Sequence, residues 1–380
     1  MAKYNRTHKL NPKFEKGGSM YWLHATADSF DTFLYAPSTC TSSGSHVRDC
    51  VDLKRWMIIP VIAMIPAVLF GMWNIGYQHF VALGQHVGFW PIVWFGFLKI
   101  LPMYLVSYIV GLGIEFISSQ IHGKELNEGY LVTGMLIPLI MPVNVPLWML
   151  ALAVAFAVIF GKEVFGGTGM NIWNPALLAR AFIFFSYPSH MTGDKVWVAG
   201  VDAVSGATPL AVASAGGMQG LADSGYSILG MCLGTIPGSI GETSVIAIAL
   251  GALILLITGV GSWKIMLSSI IGFCCIAGLG NLLAPNAASA MAVPFYYQLV
   301  MGGFLFGTVF MATDPVTSCQ TETGKWIFGF LVGAMCMTVR LFNPGYPEGM
   351  MLSILLMNTF APLIDWLVVN ANVKKRMRRA

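Results

Sequence analysis

Residues 91–117 read PIVWFGFLKILPMYLVSYIVGLGIEFI, twenty-seven positions that carry one cation, Lys99, and one carboxylate, Glu115. About 20 such residues in a helix cross the roughly 30 Å of hydrocarbon in a bilayer. Lipid offers no water to the backbone, and a helix satisfies its own N–H and C=O groups. The stretch therefore predicts a transmembrane helix. Outward from it the same pattern recurs, giving ten candidate spans at about 57–77, 91–117, 130–141, 145–160, 176–187, 243–260, 265–284, 296–312, 326–341 and 349–369. The composition agrees: of 380 residues 56% are hydrophobic and 10% charged, against about 25% charged in a soluble domain. Mean hydropathy is +0.71. A soluble globular protein is excluded, and the absence of period-two strands excludes an outer-membrane barrel. The fold class expected is an all-α polytopic membrane protein.

Charge sets the topology. Lys3, Arg6, Lys9, Lys13, Lys16, Arg48, Lys54 and Arg55 precede the first span, with no apolar core that would make a signal peptide. Lys124, Lys162, Lys264 and Lys325 fall in alternate loops on the same side, as do Lys374, Lys375, Arg376, Arg378 and Arg379 after an even number of spans. Only Lys99, Arg180, Lys195 and Arg340 of the 21 Lys and Arg lie elsewhere. The positive-inside rule then makes both termini cytoplasmic. It leaves Pro188 to about Glu242 on the opposite side.

Spans three and five are too short to cross as straight helices, and such segments are tolerated where they are buried in protein or line a cavity. Two stretches follow one plan: a short apolar segment ending at proline (Pro142, Pro315), a longer span, an Asn-Pro turn (Asn174-Pro175, Asn343-Pro344), then another apolar segment. The Asn-Pro pairs lie 169 residues apart. Five spans per half, an odd number, predict two inverted five-helix repeats. The organisation expected is an N-terminal segment 1–56, a first repeat 57–187, a non-cytoplasmic loop 188–242, a second repeat 243–369 and a basic tail 370–380.

Carboxylates in spans are costly and mark function or a structural ion pair. Glu115, Asp314 and Asp365 are the candidates for a cation pathway, because a hard cation takes oxygen ligands; the alternative is pairing with Arg180, Arg340 or Lys99. The seven histidines read as ordinary residues of tails and loops, and the seven cysteines show no metal or disulfide spacing. Nothing suggests a nucleotide domain or nucleic-acid binding. Gly166-Gly167-Thr168-Gly169 lacks the pattern of a phosphate loop.

The loop at 188–242 contains Asp202-Ala203-Val204-Ser205-Gly206-Ala207-Thr208. On its chemistry alone it is a turn of small residues presenting a hydroxyl. It resembles the D-x-x-[ST]-G-A-T acceptor at which a flavin transferase moves FMN from FAD onto threonine, with Thr208 as the phosphorus nucleophile. The likeness continues through His46 to Asp49, Val51 to Arg55, Asn127 to Gly129, Lys162 to Gly169, Asn174 to Ala176, Ile236 to Glu242, Met311 to Pro315 and Pro347 to Met351. Together these resemble the family of B subunits of bacterial sodium-translocating NADH:quinone oxidoreductases and D subunits of Rnf ferredoxin:NAD⁺ complexes. The basic N-terminus favours the sodium-translocating side of that family.

That resemblance implies covalent FMN on Thr208 with Asp202, Ser205, Gly206 and Ala207 as its recognition sequence, a non-covalent riboflavin, a quinone site and a Na⁺ route. It implies a six-subunit complex of the bacterial inner membrane, embedded in lipid and matured by a flavin transferase. The family's intramembrane acidic positions fall on Glu115 and Asp365, with Asp314 in a further shared motif. Its quinone region falls at Gly111 and Gly113, where Leu112 interrupts the usual glycine pair. Electrons would come from a partner flavoprotein, since this chain has no NADH fold. The competing readings are an Rnf-type subunit and a non-redox channel or secondary transporter, and the latter has no use for the flavin acceptor.

Overall fold

The computed structural model describes residues 53–122, 129–200, 206–286, 289–343 and 345–379, with residues 18–21, 24, 27, 41–45 and 47 of the N-terminal segment. Asp202 and Ser205 lie outside the described residues, as do Lys124 and Pro344. Five helices form the first half: α1 (Leu53–Ala82), α2 (Phe89–His122), α3 (Gly129–Leu139), α4 (Leu147–Gly161) and α5 (Pro175–Ser186). Between the halves lie α6 (Pro209–Asp223) and α7 (Ile228–Leu233). The second half is α8 (Val245–Ile257), α9 (Trp263–Leu283), α10 (Phe295–Val300), α11 (Phe304–Phe310), α12 (Glu322–Phe342) and α13 (Met350–Met377).

Among the described residues six helices are long and apolar enough to cross a membrane: α1, α2, α4 with the turn that follows it, α9, α12 and α13. With the short apolar helices α3, α5 and α8 they make a multi-pass membrane protein. The short spans are more numerous than expected. Besides three and five, the sixth is only Val245–Ile257, and the eighth, read as continuous over 296–312, is broken into α10 and α11. Gly302 causes the break by taking φ +68, a region L side chains rarely adopt. The segment 188–242 is also more helical than a loop, because Thr208 and Ser227 cap two new helices with their hydroxyls.

Packing repeats between the halves. In the first, α3 packs on α1, α2 and α5, while α4 packs on α2 and α5. In the second, α11 packs on α8, α9 and α13, while α12 packs on α9 and α13. The halves meet through α1 against α8 and α5 against α13. In lipid there is little hydrophobic drive between helices, so close backbone approach carries the association. Glycine supplies it: a Cβ on Gly272 would strike the Phe330 carbonyl, one on Gly333 that of Ser269, and one on Gly251 that of Ala63 across the seam between halves. Outward faces carry apolar residues such as Trp90, Ile109 and Leu282, each well over half exposed.

Candidate functional site

Thr208 is the N-cap of α6, and its Oγ1 accepts the Ala211 amide at 3.2 Å with Pro209 at the first helical position. Two hydrogen bonds hold the segment before it. The Gly206 amide donates to the Asp194 carbonyl at 3.0 Å, and a Cβ at Gly206 would come within 2.8 Å of Val198 and 3.0 Å of that same carbonyl. Glycine here is thus a packing requirement. The Tyr226 hydroxyl donates to the Ala207 carbonyl at 2.6 Å, and burial, with the Asp194 carboxylate adding to it, raises the phenol above its ordinary pKa, so it stays a donor. Behind them Asn144 Nδ2 donates to the Lys195 and Val198 carbonyls at 2.9 and 2.7 Å. His79 Nδ1 lies 2.7 Å from the Ala199 carbonyl and its ring stacks on Phe95. His79 is a correction: it sits inside α1, half-buried, and anchors the chain leading to the acceptor segment.

Thr208 lines an outer cavity of about 250 Å³ together with Arg180, Trp197, Glu242, Tyr346 and Glu348. Arg180 Nη1 donates to Glu242 Oε1 at 2.6 Å, and Nη2 to Glu348 and, at 3.4 Å, to Ser239 Oγ. Arg180 is 4% exposed. Such a charge survives burial only with partners, and its partners come from the segments that precede α8 and α13. Among the described residues Arg340 has no carboxylate partner; its guanidinium donates to the Gln298, Met301 and Glu348 carbonyls at 2.6, 3.0 and 3.1 Å. Sequence reasoning missed Glu242 and Glu348 as charged partners. The signal is there, because each acid stands beside Gly or Pro in a shared motif, Glu242 after Gly241 and Glu348 between Pro347 and Gly349.

An inner cavity of about 90 Å³ opens between α1, α3 and the starts of α5 and the 311–316 segment. Thr133, Lys162, Asn171, Asn174, Thr313 and Asp314 give it polar groups. Asp314 accepts from the Val316 amide at 3.1 Å, Thr317 Oγ1 at 3.0 Å and Asn174 Nδ2 at 3.4 Å. Asn174 caps α5 with the other end of its amide. Glu115 is buried in an ion pair with Lys162, which is 3% exposed and not in a solvated loop. Asp365 serves the start of α12: it accepts the Gln320 amide at 2.7 Å and the Thr321 amide and hydroxyl at 3.0 and 2.5 Å. The three acids expected in one pathway thus occupy three different settings. Gly111 lies under the Tyr130 ring, whereas a Cβ at Gly113 would meet nothing within 4 Å.

A model of the NQR2, RnfD, RnfE family matches residues 40–374. The chain belongs to that family. The B subunit of the Na(+)-translocating NADH-quinone reductase of Ectopseudomonas mendocina is 46% identical over 394 residues, covering 98% of each chain. The proteins of the same name from Azotobacter vinelandii and Pseudomonas aeruginosa are 45% and 44% identical, over 98% and 100% of each chain. The match to the NQR2, RnfD, RnfE family encloses both cavities, Thr208 and all three acids.

Proposed function

We propose that this chain is the membrane subunit of a redox-driven sodium pump that carries FMN on Thr208 and takes part in electron transfer from NADH to quinone. The observation that carries the reading is Thr208 itself, a hydroxyl at the N-terminus of a helix that runs unbroken from Pro209 to a kink at Gly217, and on the wall of a cavity. A phosphoester there meets the positive end of the helix dipole and the amides of its first turn. The cavity, about 250 Å³, is slightly below the roughly 300–1,000 Å³ of small-molecule sites, and Phe184, Trp197 and Tyr346 give it aromatic walls for a flavin ring. The flavin supplies the electron chemistry; the chain tethers it, orients it and keeps water from it.

The inner cavity offers amides and hydroxyls that fit the polar edge of the riboflavin expected from the resemblance, though about 90 Å³ admits only part of such a ring. Asp314 is the proposed cation ligand at that cavity, since its carboxylate is held by neutral donors alone among the described residues. Glu115 would act there only through Lys162, and Asp365 only through the start of α12. The open surface beside Gly113 is the proposed quinone approach. The relatives are each named as one subunit of a reductase, which supports assembly with further subunits in a membrane complex, and the basic loops support cytoplasmic termini in a bacterial inner membrane.

The test is in-gel fluorescence of the denatured chain, expressed with a flavin transferase, beside Thr208→Ala. The expected result is a fluorescent band in the parent and none in the variant. A dark parent band, with the transferase active on another acceptor, removes the flavin reading and leaves a non-redox transporter.

A further inference from the structure

Among the described residues, the wall of the outer cavity carries two acids and one base. Arg180 meets Glu242 through Nη1 at 2.6 Å and Glu348 through Nη2. A Cβ on Gly303 would lie 2.6 Å from Glu242 Oε1 and 2.6 Å from Glu348 Oε1, so these two oxygens are within two such lengths of each other. The two side chains are 8% and 15% exposed. The acids of the spans are placed differently: Glu115 faces a lysine of its own, Asp365 accepts two amides and a hydroxyl, and Asp314 has neutral donors.

Two carboxylates this close, turned to one guanidinium and away from water, do not readily both ionise, because the second charge has neither solvent nor a cation of its own. The groups around them do not supply one. Arg340 of α12 reaches this corner, but its donors go to the backbone carbonyls of Gln298, Met301 and Glu348. Cys336 of the same helix turns its Sγ to the Glu348 carbonyl at 3.6 Å. Tyr346 donates its hydroxyl to Glu348 Oε2 at 3.4 Å, and burial beside these acids keeps the phenol protonated. Burial pushes Glu242 up to about 8; the Arg180 charge opposes that shift and the Glu348 charge adds to it.

We propose that Glu242 and Glu348 share one proton beside the flavin carried by Thr208, and that this proton sets the flavin's reduction potential. The inference rests on the reading of Thr208 as the flavin acceptor, and the pair and the tether line one cavity. With the proton in place, Arg180 and the two acids sum to zero charge; without it they sum to one negative charge. An electron delivered by the partner that oxidises NADH adds a negative charge to the cavity. Like charges away from water repel strongly, so loss of the proton makes reduction harder. By linkage, the electron in turn raises the pair's affinity for its proton. Below about pH 8 the proton is held before and after the electron arrives, and the pair adds nothing to the pH dependence. Above it, each electron is accompanied by one proton from water, which forms an O–H bond on one of the two carboxylates.

The test is a redox titration of the assembled complex over several pH values on both sides of about 8, with the Thr208 flavin read as the difference from the Thr208→Ala complex. The parent potential is expected to fall more steeply above that pH, by a further tenfold in equilibrium, or about 59 mV, per pH unit for a one-electron step. Glu242→Gln and Glu348→Gln each leave one carboxylate facing Arg180, a one-to-one pair that strands no charge. Both are expected to lose the added slope and to keep a potential near the parent's neutral-pH value. A parent curve without the added slope overturns the proposal. So does a slope kept in either glutamine variant, since it would then belong to the flavin or to one carboxylate alone; if one variant does not assemble, the other decides. In-gel fluorescence of the same samples separates the two readings: a dark parent band overturns the flavin on Thr208, whereas a fluorescent parent without the added slope overturns this inference alone.

Discussion

Lys162 shows how far a single residue can depart from its sequence context. It follows an apolar span and opens a glycine-rich turn, the usual setting of a solvated loop lysine, yet it is buried against Glu115 and over the Tyr130 ring at 5.8 Å. Removing one partner of a buried pair strands the other charge, at roughly 3–5 kcal/mol, whereas replacing both with apolar groups is often near neutral. Lys162→Met is therefore expected to lower thermal stability steeply, and Lys162→Met with Glu115→Leu to regain most of it. Unfolding followed by tryptophan fluorescence in detergent checks this; equal loss in the single and double variants would show that the pair does not account for the effect. What was legible at this scale was the cost of Glu115. Which cation answers it was not, because 47 residues separate the partners and only the packing of α2 on α4 brings them together. Asp365 was legible in the same limited way: an acid in a span demanded a partner, and the partner proved to be a helix start and not a guanidinium.

At the scale of elements, length and punctuation are legible in the sequence and continuity is not. The six full-length spans follow from runs of apolar residues, and the shortness of α3 and α5 from the Gly and Pro that bound them. The eighth span reads as continuous over 296–312 because those residues are mostly apolar on both sides of the break, and hydropathy does not register a change in φ at Gly302. The break matters, since it lets α11 begin at Gly303 against two carboxylates. Gly303→Ala would put a methyl group 2.6 Å from Glu242 and from Glu348, so one carboxylate must leave Arg180 or α11 must shift. The expected cost is about 1–3 kcal/mol, the range for forcing extra volume into a packed site. Gly113→Ala, placed where nothing lies within 4 Å, is expected to unfold at the parent temperature. Equal unfolding temperatures for the two would show that the contact at Gly303 relaxes freely.

For the whole molecule, the repeat explains why charge is concentrated where it is. The halves pack through α1 on α8 and α5 on α13, and small residues make that seam close without making it charged. Arg180 adds the charge: it belongs to the first half and is tied to Glu242, just ahead of α8, and to Glu348, just ahead of α13. One guanidinium thus holds the two segments that lead into the second half's first and last spans, beside the cavity that Thr208 lines. If this is the tie between halves, Arg180→Met leaves two carboxylates buried and unpaired, and the loss should be larger than that of an ordinary core change, about 3–5 kcal/mol. Neutralising the acids as well, with Glu242→Gln and Glu348→Gln, removes the stranded charge and is expected to recover assembly while keeping the cavity's shape. Engineered protease sites in the 188–242 segment provide the readout: faster cleavage in Arg180→Met than in the triple variant is expected, because the segment is released when the halves loosen. Cleavage at the parent rate in Arg180→Met would mean that glycine packing along the seam suffices, and that the charges beside Thr208 serve the ligand of that cavity alone.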